Sequence, residues 1–264
     1  MRPLRNMKVQ LLPSTFNNCG AASSSQHLTC FVIDDTVAVD AGSLAMAASP
    51  IQQQQVRDIV LTHAHLDHIA GLPLFVDDLF PTLSSPVTVY STESVIETLE
   101  RDVFNWSVYP RFSELTNDNG PVLVYRTYRP GDAFTVKHLT FRSIEVNHRV
   151  PTTGFLISDD QATIAISGDT AEMDEFWDAV NQAEELSAVL LECAFPDELE
   201  ELARLSHHLT PTRLKSEMAK CTRTDCRFYV VNLKPMHRET IVEQLGKLNI
   251  KNLEPLEVGK IYEW

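Results

Sequence analysis

The stretch Ile59-Val60-Leu61-Thr62-His63-Ala64-His65-Leu66-Asp67-His68 decides how this chain is interpreted. Three histidines and one aspartate fall within six consecutive positions, directly after a short apolar run. Neutral imidazole and carboxylate are ligands that divalent zinc, iron and manganese all accept in proteins. Ligands this close together are expected from a tight loop leaving a strand, not from one helix face. The pattern therefore predicts a metal site at the end of a buried strand.

The spacing within this cluster favours two ions. His63 and His65, two positions apart on extended backbone, can point the same way and share one ion. Asp67 and His68, which follow where the chain turns, are then available for a second ion. The alternative is a solvated histidine-rich loop, which leaves four ligand-type residues behind a buried strand unexplained.

Three further ligand-type residues follow strand-like runs. His148 ends the run 140–147, Asp169 follows the apolar run 164–167 and Gly168, and His237 follows the run 229–236. An aspartate after glycine is commonly a turn former, and a lone loop histidine is commonly just solvated. Because two ions need more ligands than the first cluster supplies, we expect all three side chains to complete the site.

Composition narrows the classes of partner. The 264 residues include 44% hydrophobic ones, enough for a globular protein with a full core, and we expect a single domain over 1–264. The formal charge of -14 makes a long nucleic acid an unfavourable partner and favours a small substrate. Five cysteines without zinc-type spacing favour a reducing, cytoplasmic location. The sequence has no apolar run long enough to span a bilayer, so we expect no membrane partner.

Hydrophobic periodicity predicts an α+β fold. Strand-like runs and helical periodicity alternate, with strands early in each half and helices following, which favours two stacked sheets with helices on their outer faces. The predicted strands are 8–12, 28–33, 36–39, 58–61, 87–90, 139–146, 154–158, 162–167, 188–192 and 228–232. The predicted helices are 69–80, 92–104, 174–185, 197–205, 211–220 and 238–245. The stretch 107–121 is predicted to be irregular, either a cap over the site or a plain surface loop.

The ordered ligand set resembles that of the metallo-β-lactamase fold superfamily of dinuclear hydrolases. The resemblance covers essentially the whole chain and implies a four-layer αββα sandwich of the metallo-β-lactamase type. It also implies that Asp40, in the early strand-Asp-x-Gly turn, supports the metal loop without binding an ion. By the same resemblance one ion is held by His63, His65 and His148, the other by Asp67, His68 and His237, with Asp169 bridging both.

Local motifs resemble two branches of that superfamily. The run Ser167-Gly168-Asp169-Thr170 resembles a motif shared by tRNA 3′-processing endonucleases and class II cyclic-nucleotide phosphodiesterases. The runs 191–195 and 206–211 resemble the glutamate and histidine motifs of the same branches, and 234–237 is most similar to the last ligand motif of the cyclic-nucleotide enzymes. Only twenty residues separate His148 from Asp169, so the long basic arm typical of the tRNA enzymes is not encoded.

The resemblance implies hydrolysis of 3′,5′-cyclic nucleotides, cyclic AMP or cyclic GMP, to nucleoside 5′-monophosphates by a hydroxide that bridges two divalent ions. We expect His208, oriented by Glu192, to protonate the leaving oxygen, with His207 as the alternative acid. The competing interpretation of His208 is a surface histidine that precedes a helix and has no catalytic role. Asp67 has a second candidate role as a proton acceptor.

Zinc is the expected metal, and the same ligands suit iron or manganese. The competing interpretations are an RNA phosphodiesterase or nuclease of the same fold, and a non-hydrolytic di-iron protein that binds oxygen. The expected partner is a small phosphodiester substrate. Homodimers are common in this fold, so a second copy of the chain is the protein partner that the resemblance allows.

Overall fold

The computed structural model describes residues 6–264, so the first five residues of the predicted domain lie outside the described part. The strands run in chain order as β1 (Lys8–Leu11), β2 (Phe31–Ile33), β3 (Val37–Val39), β4 (Asp58–Val60), β5 (Val87–Ser91), β6 (Thr116–Asn117), β7 (Gly120–Pro121), β8 (Leu123–Thr127), β9 (Ala133–Val136), β10 (Leu139–Val146), β11 (Thr152–Ser158), β12 (Thr163–Ile166), β13 (Leu186–Glu192), β14 (Arg227–Val231), β15 (Leu253–Pro255) and β16 (Ile261–Glu263).

The α-helices are α1 (Leu44–Ala47), α2 (Pro50–Gln55), α3 (Leu66–Ile69), α4 (Gly71–Leu79), α5 (Glu93–Thr98), α6 (Asp174–Gln182), α7 (Glu200–Ser206), α8 (Pro211–Met218) and α9 (Arg238–Lys247). Thr210 caps the first turn of α8 by accepting a hydrogen bond from the Arg213 backbone N–H, with Pro211 at the start of the helix. Across residues 6–264, none of the helices has both the length and the apolar character needed to cross a bilayer.

Two seven-stranded sheets form the centre of the fold. The first has the order β16-β1-β2-β3-β4-β5-β8, and the second has the order β15-β14-β13-β12-β11-β10-β9. Strands β3, β4, β5 and β8 are parallel, as are β12, β13, β14 and β15. Both sheets are therefore mixed, with an antiparallel part and a parallel part.

Three apolar layers confirm the predicted αββα arrangement. Between the sheets, Val60 of the first packs in one cluster with Phe141 and Phe155 of the second. A second cluster joins the outer face of the first sheet to α4 through residues such as Phe75. A third joins the outer face of the second sheet to α6, α8 and α9 and includes Trp177. Because each sheet has a helix layer on one face and the other sheet on the opposite face, both faces are covered.

The topology brings the carboxyl ends of several strands to one edge. Strands β12, β13 and β14 are parallel, so the residues after them meet at the same edge of the second sheet. Strand β10 runs in the same direction as β12, because both are antiparallel to β11. The two sheets are joined at this edge by the Thr153 backbone N–H, which donates to the Thr62 carbonyl at 3.1 Å. Each predicted ligand comes after a strand that ends at this edge.

The structure departs from the predicted elements in a few places. The helix predicted at 69–80 begins earlier and is divided into α3 and α4, and the one predicted at 92–104 changes to a π-helical turn at Leu99–Val103. Strands β8, β9, β15 and β16 were not predicted, because three to five residues at or near a sheet edge carry little periodicity. The irregular stretch contains the β6–β7 hairpin, and Asn117 Nδ2 donates to the carbonyls of Phe80 and Leu83 at the end of α4.

Gly42 allows the metal loop to pack against the turn after β3. A Cβ atom built on Gly42 would lie 2.0 Å from the Asp67 carbonyl oxygen and 2.8 Å from the Thr29 backbone nitrogen. Because both neighbours are backbone atoms, Gly42→Ala is expected to lower the free energy of unfolding by about 1–3 kcal/mol. Urea denaturation measures this loss.

Gly246→Ala is the matched control, because a Cβ there meets nothing within 4 Å and the residue is exposed in α9. It is expected to stabilise the chain by roughly 0.5–1 kcal/mol through helix propensity. Equal effects of the two substitutions would contradict the close packing at Gly42.

Candidate metal centre

Two groups of ligand atoms converge at the common edge, and Asp169 belongs to both. His63 and His65 lie on the loop after β4, whereas Asp67 and His68 lie in the short helix α3. Within each group the ligand atoms all lie within 4.8 Å of one another. The first group is His63, His65, His148 and Asp169, and the second group is Asp67, His68 and Asp169.

Two buried imidazole nitrogens indicate that the site is built for cations. His63 Nδ1 lies 2.9 Å from Thr62 Oγ1, and His68 Nδ1 donates to Asp40 Oδ2 at 2.7 Å. The Nε2 atoms of both rings face Asp169 Oδ2 at 3.9 and 3.4 Å. Both Nε2 atoms are buried and make no hydrogen bond to any described residue. Buried polar atoms normally have partners, so this donor set fits divalent ions.

His65 and His148 complete the first group from opposite sheets. His148 Nδ1 donates to the His207 carbonyl at 3.0 Å, which leaves the Nε2 lone pair facing the site. That Nε2 lies 3.1 Å from His65 Nδ1. The four rings of the site are packed edge to face or tilted, with His63 and His68 centroids 4.1 Å apart. This packing brings ligand atoms of His63, His65 and His148 within 4.8 Å of one another and of an Asp169 oxygen, close enough to share a cation.

Burial sets the protonation states that ligands need. Burial lowers the pKa of His63 well below its ordinary value, lowers that of His65, and lowers that of His148 to about 4. These imidazoles are therefore neutral near pH 7 and can donate lone pairs. Burial alone would raise the pKa of Asp169, but His68 and His63 hold it well below the usual range, so this carboxylate is ionised.

His68 differs from the other three histidines. Burial opposes a charge on its ring, but the carboxylates of Asp169 and Asp40 outweigh burial and hold the pKa of His68 well above its ordinary value. The pKa of Asp67 is lowered, because His68 and Lys234 together outweigh the opposing effect of burial. The second group therefore contains three charged side chains before any ion binds, whereas Asp169 is the charged side chain of the first group.

Asp40 supports the metal loop, as the resemblance implied. Asp40 has a left-handed backbone with φ +60, and its Oδ1 accepts hydrogen bonds from the Thr62 backbone N–H at 2.9 Å and from Thr62 Oγ1 at 3.0 Å. Its Oδ2 accepts from His68 Nδ1 at 2.7 Å. One buried carboxylate thus orients ligands of both groups, His63 through Thr62 and His68 directly.

Asp40→Asn is expected to weaken divalent metal binding about 10–100-fold, because a neutral amide fixes the His68 ring less firmly. Competition with a chromogenic chelator measures the affinity. Asp118→Asn, at an exposed position in the turn of the β6–β7 hairpin, is the control and is expected to leave the affinity unchanged. Unchanged affinity in Asp40→Asn would contradict the supporting role.

Glu192 and His208 form a buried pair beside the first group. Glu192 Oε1 accepts from His208 Nδ1 at 2.7 Å and from the Thr170 backbone N–H at 3.0 Å, while its Oε2 accepts from the Ala194 backbone N–H at 3.0 Å. The His208 ring centroid lies 5.0 Å from that of His148. Burial opposes a charge on His208, but Glu192 outweighs it and raises the pKa of His208.

His207 has a different environment from His208. Its backbone is left-handed with φ +56 at the end of α7, and its half-buried ring has Nδ1 2.8 Å from Asn147 Oδ1, a hydrogen bond that is exposed to solvent. Its carbonyl, by contrast, orients His148. Of the two candidate acids, the arrangement of buried charges favours His208.

His237 is the one predicted ligand that belongs to neither group of described ligand atoms. It is at the end of a short 3₁₀ turn, Pro235–His237, with its ring centroid 6.4 Å from that of Phe195. Among the described residues, neither group of ligand atoms within 4.8 Å includes it. The assignment of His237 as a ligand stays a prediction.

Two other residues of the same segment do contact the centre and were not identified from the sequence. Asn232, which follows β14 with a left-handed φ of +56, donates from Nδ2 to Asp169 Oδ1 at 2.7 Å. Lys234 Nζ donates to Asp67 Oδ2 at 3.0 Å. The sequence signal for both residues is their position just after a strand, although neither an amide nor an ammonium is a usual metal ligand.

Known proteins share similarity with this chain in sequence and in fold. A family model described as a beta-lactamase superfamily domain matches residues 33–226. A probable 3′,5′-cyclic-nucleotide phosphodiesterase of Yersinia pestis is 28% identical over 198 residues, covering 67% of this chain and 55% of that protein. A ribonuclease Z of Mycobacterium bovis is 27% identical over 175 residues, covering 61% of this chain and 58% of that protein.

The matches therefore span little more than half the length of these relatives. The crystal structure of unliganded yeast PDE1 shares the fold, with a TM-score of 0.78, 17% identity, and coverage of 99% of this chain and 100% of that chain. The family match covers well over half of the sequence, including all the ligands of both groups. The chain belongs to the metallo-β-lactamase superfamily.

Proposed function

We propose that this chain is a metal-dependent phosphodiesterase that hydrolyses 3′,5′-cyclic nucleotides to nucleoside 5′-monophosphates. The observation that carries the proposal is the placement of the Glu192–His208 pair beside a cation centre whose two groups share Asp169. Similarity to the Yersinia pestis protein named a probable 3′,5′-cyclic-nucleotide phosphodiesterase supports the same activity.

A small substrate is supported by the segment between His148 and Asp169. This segment consists of strands β11 and β12 joined by a short turn, so no arm projects from the fold there. The net charge of -14 also opposes binding of a long polyphosphate backbone. A cyclic nucleotide carries a single phosphate charge, which a local cationic centre can neutralise.

Divalent ions at this centre would be held by the first and second groups, with Asp169 common to both. We propose zinc as the ion, with iron or manganese accepted by the same ligand types. When bound, such ions polarise phosphoryl oxygens and lower the pKa of nearby water. The chain itself contributes the orientation of the ligands through Asp40, Thr62 and the His207 carbonyl.

His208 is the proposed general acid. Glu192 accepts the Nδ1 hydrogen, so Nε2 is the atom from which His208 would deliver a proton to the leaving 3′-oxygen. Glu192 outweighs burial and raises the pKa of His208, which favours the protonated ring, the form an acid needs. The side chain is 9% exposed, so its tip can meet a bound substrate. Asp67 remains a candidate proton acceptor.

RNA phosphodiester cleavage is the second candidate activity. It is favoured by the similarity to the Mycobacterium bovis protein named ribonuclease Z. The compact β11–β12 hairpin and the acidic balance count against it, since both reduce the surface that could hold a folded RNA.

A substrate panel tests the proposal. Purified protein of measured metal content is assayed with cyclic AMP, cyclic GMP, a precursor tRNA and an aryl phosphodiester. We expect turnover of at least one cyclic nucleotide with a kcat/KM above that for the tRNA. Cleavage of the precursor tRNA without hydrolysis of either cyclic nucleotide would refute the proposal and favour the nuclease.

A further inference from the structure

Arg213 joins two loops on which the proposed chemistry depends. It lies in the first turn of α8, and its Nη1 donates to the His208 carbonyl at 3.0 Å. Nε of the same guanidinium donates to Glu172 Oε1 at 3.2 Å, and Nη2 donates to the same oxygen. Glu172 lies three residues after Asp169, the ligand that both groups share. One guanidinium therefore ties the loop of the proposed acid to the loop of the shared ligand.

The contact from Arg213 adds to the other hydrogen bonds that hold His208. Glu192 Oε1 accepts from the ring at Nδ1, and the Ala203 carbonyl accepts from the His208 backbone N–H at 2.8 Å. Arg213 supplies a donor to the carbonyl on the other side of the residue. The ring and both peptide groups of His208 are therefore fixed by separate partners.

The shape of the guanidinium suits this task better than its charge does. The Arg213 side chain is 13% exposed, whereas that of Glu172 is 55% exposed. Burial opposes ionisation of Glu172, but the hydrogen bond from Arg213 outweighs burial and lowers the pKa of this carboxyl. An ion pair with one exposed partner contributes little to stability. The planar fork, however, holds several donors in a fixed arrangement, so it can grip a carboxylate and a backbone carbonyl at once.

Arg223 makes the same kinds of contact far from the centre. Its Nε and Nη2 donate to the Asp225 carboxylate at 2.9 and 2.8 Å, and its Nη1 donates to the Ala183 carbonyl. Ala183 and Arg223 precede the parallel strands β13 and β14, so they lie at the edge opposite the metal centre. Arg223 is therefore a matched control for the loss of a guanidinium that joins two loops.

We propose that Arg213 is a positioning residue: through its link to Glu172 it fixes the His208 ring relative to Asp169, and it acts through His208. The expected effect on turnover rests on the proposed function, in which His208 is the acid. The rigidity of the His208 ring, by contrast, can be measured without any substrate.

Arg213→Met and Glu172→Ala are each expected to lower kcat for a cyclic nucleotide about tenfold with KM and metal content unchanged, because a displaced acid impairs the chemical step. A nitrophenolate leaves without a proton, so turnover of a nitrophenyl phosphodiester should fall less than about twofold. In the His208→Ala background neither change should lower kcat further. Equal losses with both substrates, or a further loss in that background, would indicate a merely structural role and contradict the proposal.

The deciding experiment is an NMR measurement of hydrogen exchange in zinc-loaded, full-length protein carrying ¹⁵N-labelled histidine. The Nδ1 proton of His208 is assigned by its absence in His208→Ala. In Arg213→Met and in Glu172→Ala this proton is expected to exchange with water about tenfold faster than in the unmodified chain, because the ring is held less firmly against Glu192. The Nδ1 proton of His68, which Asp40 accepts, is the internal reference and should keep its rate.

Arg223→Met should change the exchange of neither proton. Unchanged exchange at His208 in either test variant would overturn the proposal. Equal acceleration at His208 and His68 would overturn it as well, because that result reports a general loosening of the fold. The measurement needs no turnover, so its outcome is independent of whether the chain hydrolyses cyclic nucleotides.

Discussion

Asp169→Asn is expected to lose bound metal and to lower phosphodiesterase turnover about a thousandfold or more. Asp169 is the residue common to both groups, and its Oδ2 faces the unpaired Nε2 atoms of His63 and His68. Asparagine keeps the size of the side chain but removes the negative charge that balances divalent cations. Metal analysis and cyclic-nucleotide turnover, measured on the same sample, check the two losses together.

Asp160→Asn is the matched control, because Asp160 is exposed in the turn between β11 and β12. It is expected to retain metal and activity. Asp169→Asn protein that keeps a full native metal content would contradict the central position of this carboxylate, whatever its activity.

His208→Ala is expected to lower turnover about 10²–10⁴-fold while leaving metal content unchanged. The reason is that His208 contacts Glu192 and lies near the first group, yet it belongs to neither group of ligand atoms. Loss of bound metal in this variant would show that His208 supports the centre structurally. Unchanged turnover would remove it as the acid and leave His207 as the alternative.

The pH profile distinguishes an acid from a merely structural histidine. His208 must be protonated to act, so turnover is expected to fall as pH rises through its raised pKa. Glu192→Gln removes the charge that raises this pKa, so the basic limb of the profile should move to lower pH. A profile that does not move in Glu192→Gln would contradict the proposed pairing.

Much of the fold could be predicted because its signals are local. The apolar strands 58–61 and 162–167 are short, β-branched and followed at once by ligand-type residues, so both periodicity and position identify them. Four of the seven predicted metal ligands converge in the first group and three in the second, with Asp169 in both. Edge strands β15 and β16 could not be predicted, because their pairing depends on distant strands β14 and β1.

The segment after β14 shows where sequence reasoning reached its limit. Histidine is a common metal ligand, so the sequence predicts a ligand at His237. Asn232 and Lys234 of the same segment also contact the centre, through hydrogen bonds to Asp169 and Asp67, and neither residue type is a usual metal ligand. Only tertiary geometry shows which side chains of a loop face a site.

The most direct test of the proposed activity is identification of the product formed from cyclic AMP by protein of known metal content. Phosphorus NMR distinguishes 5′-AMP from 3′-AMP without a coupled assay. We predict 5′-AMP as the product, formed only by the metal-loaded protein, lost on chelation and restored when the metal is returned. Formation of 3′-AMP, or no hydrolysis by fully metal-loaded protein, would contradict the proposal.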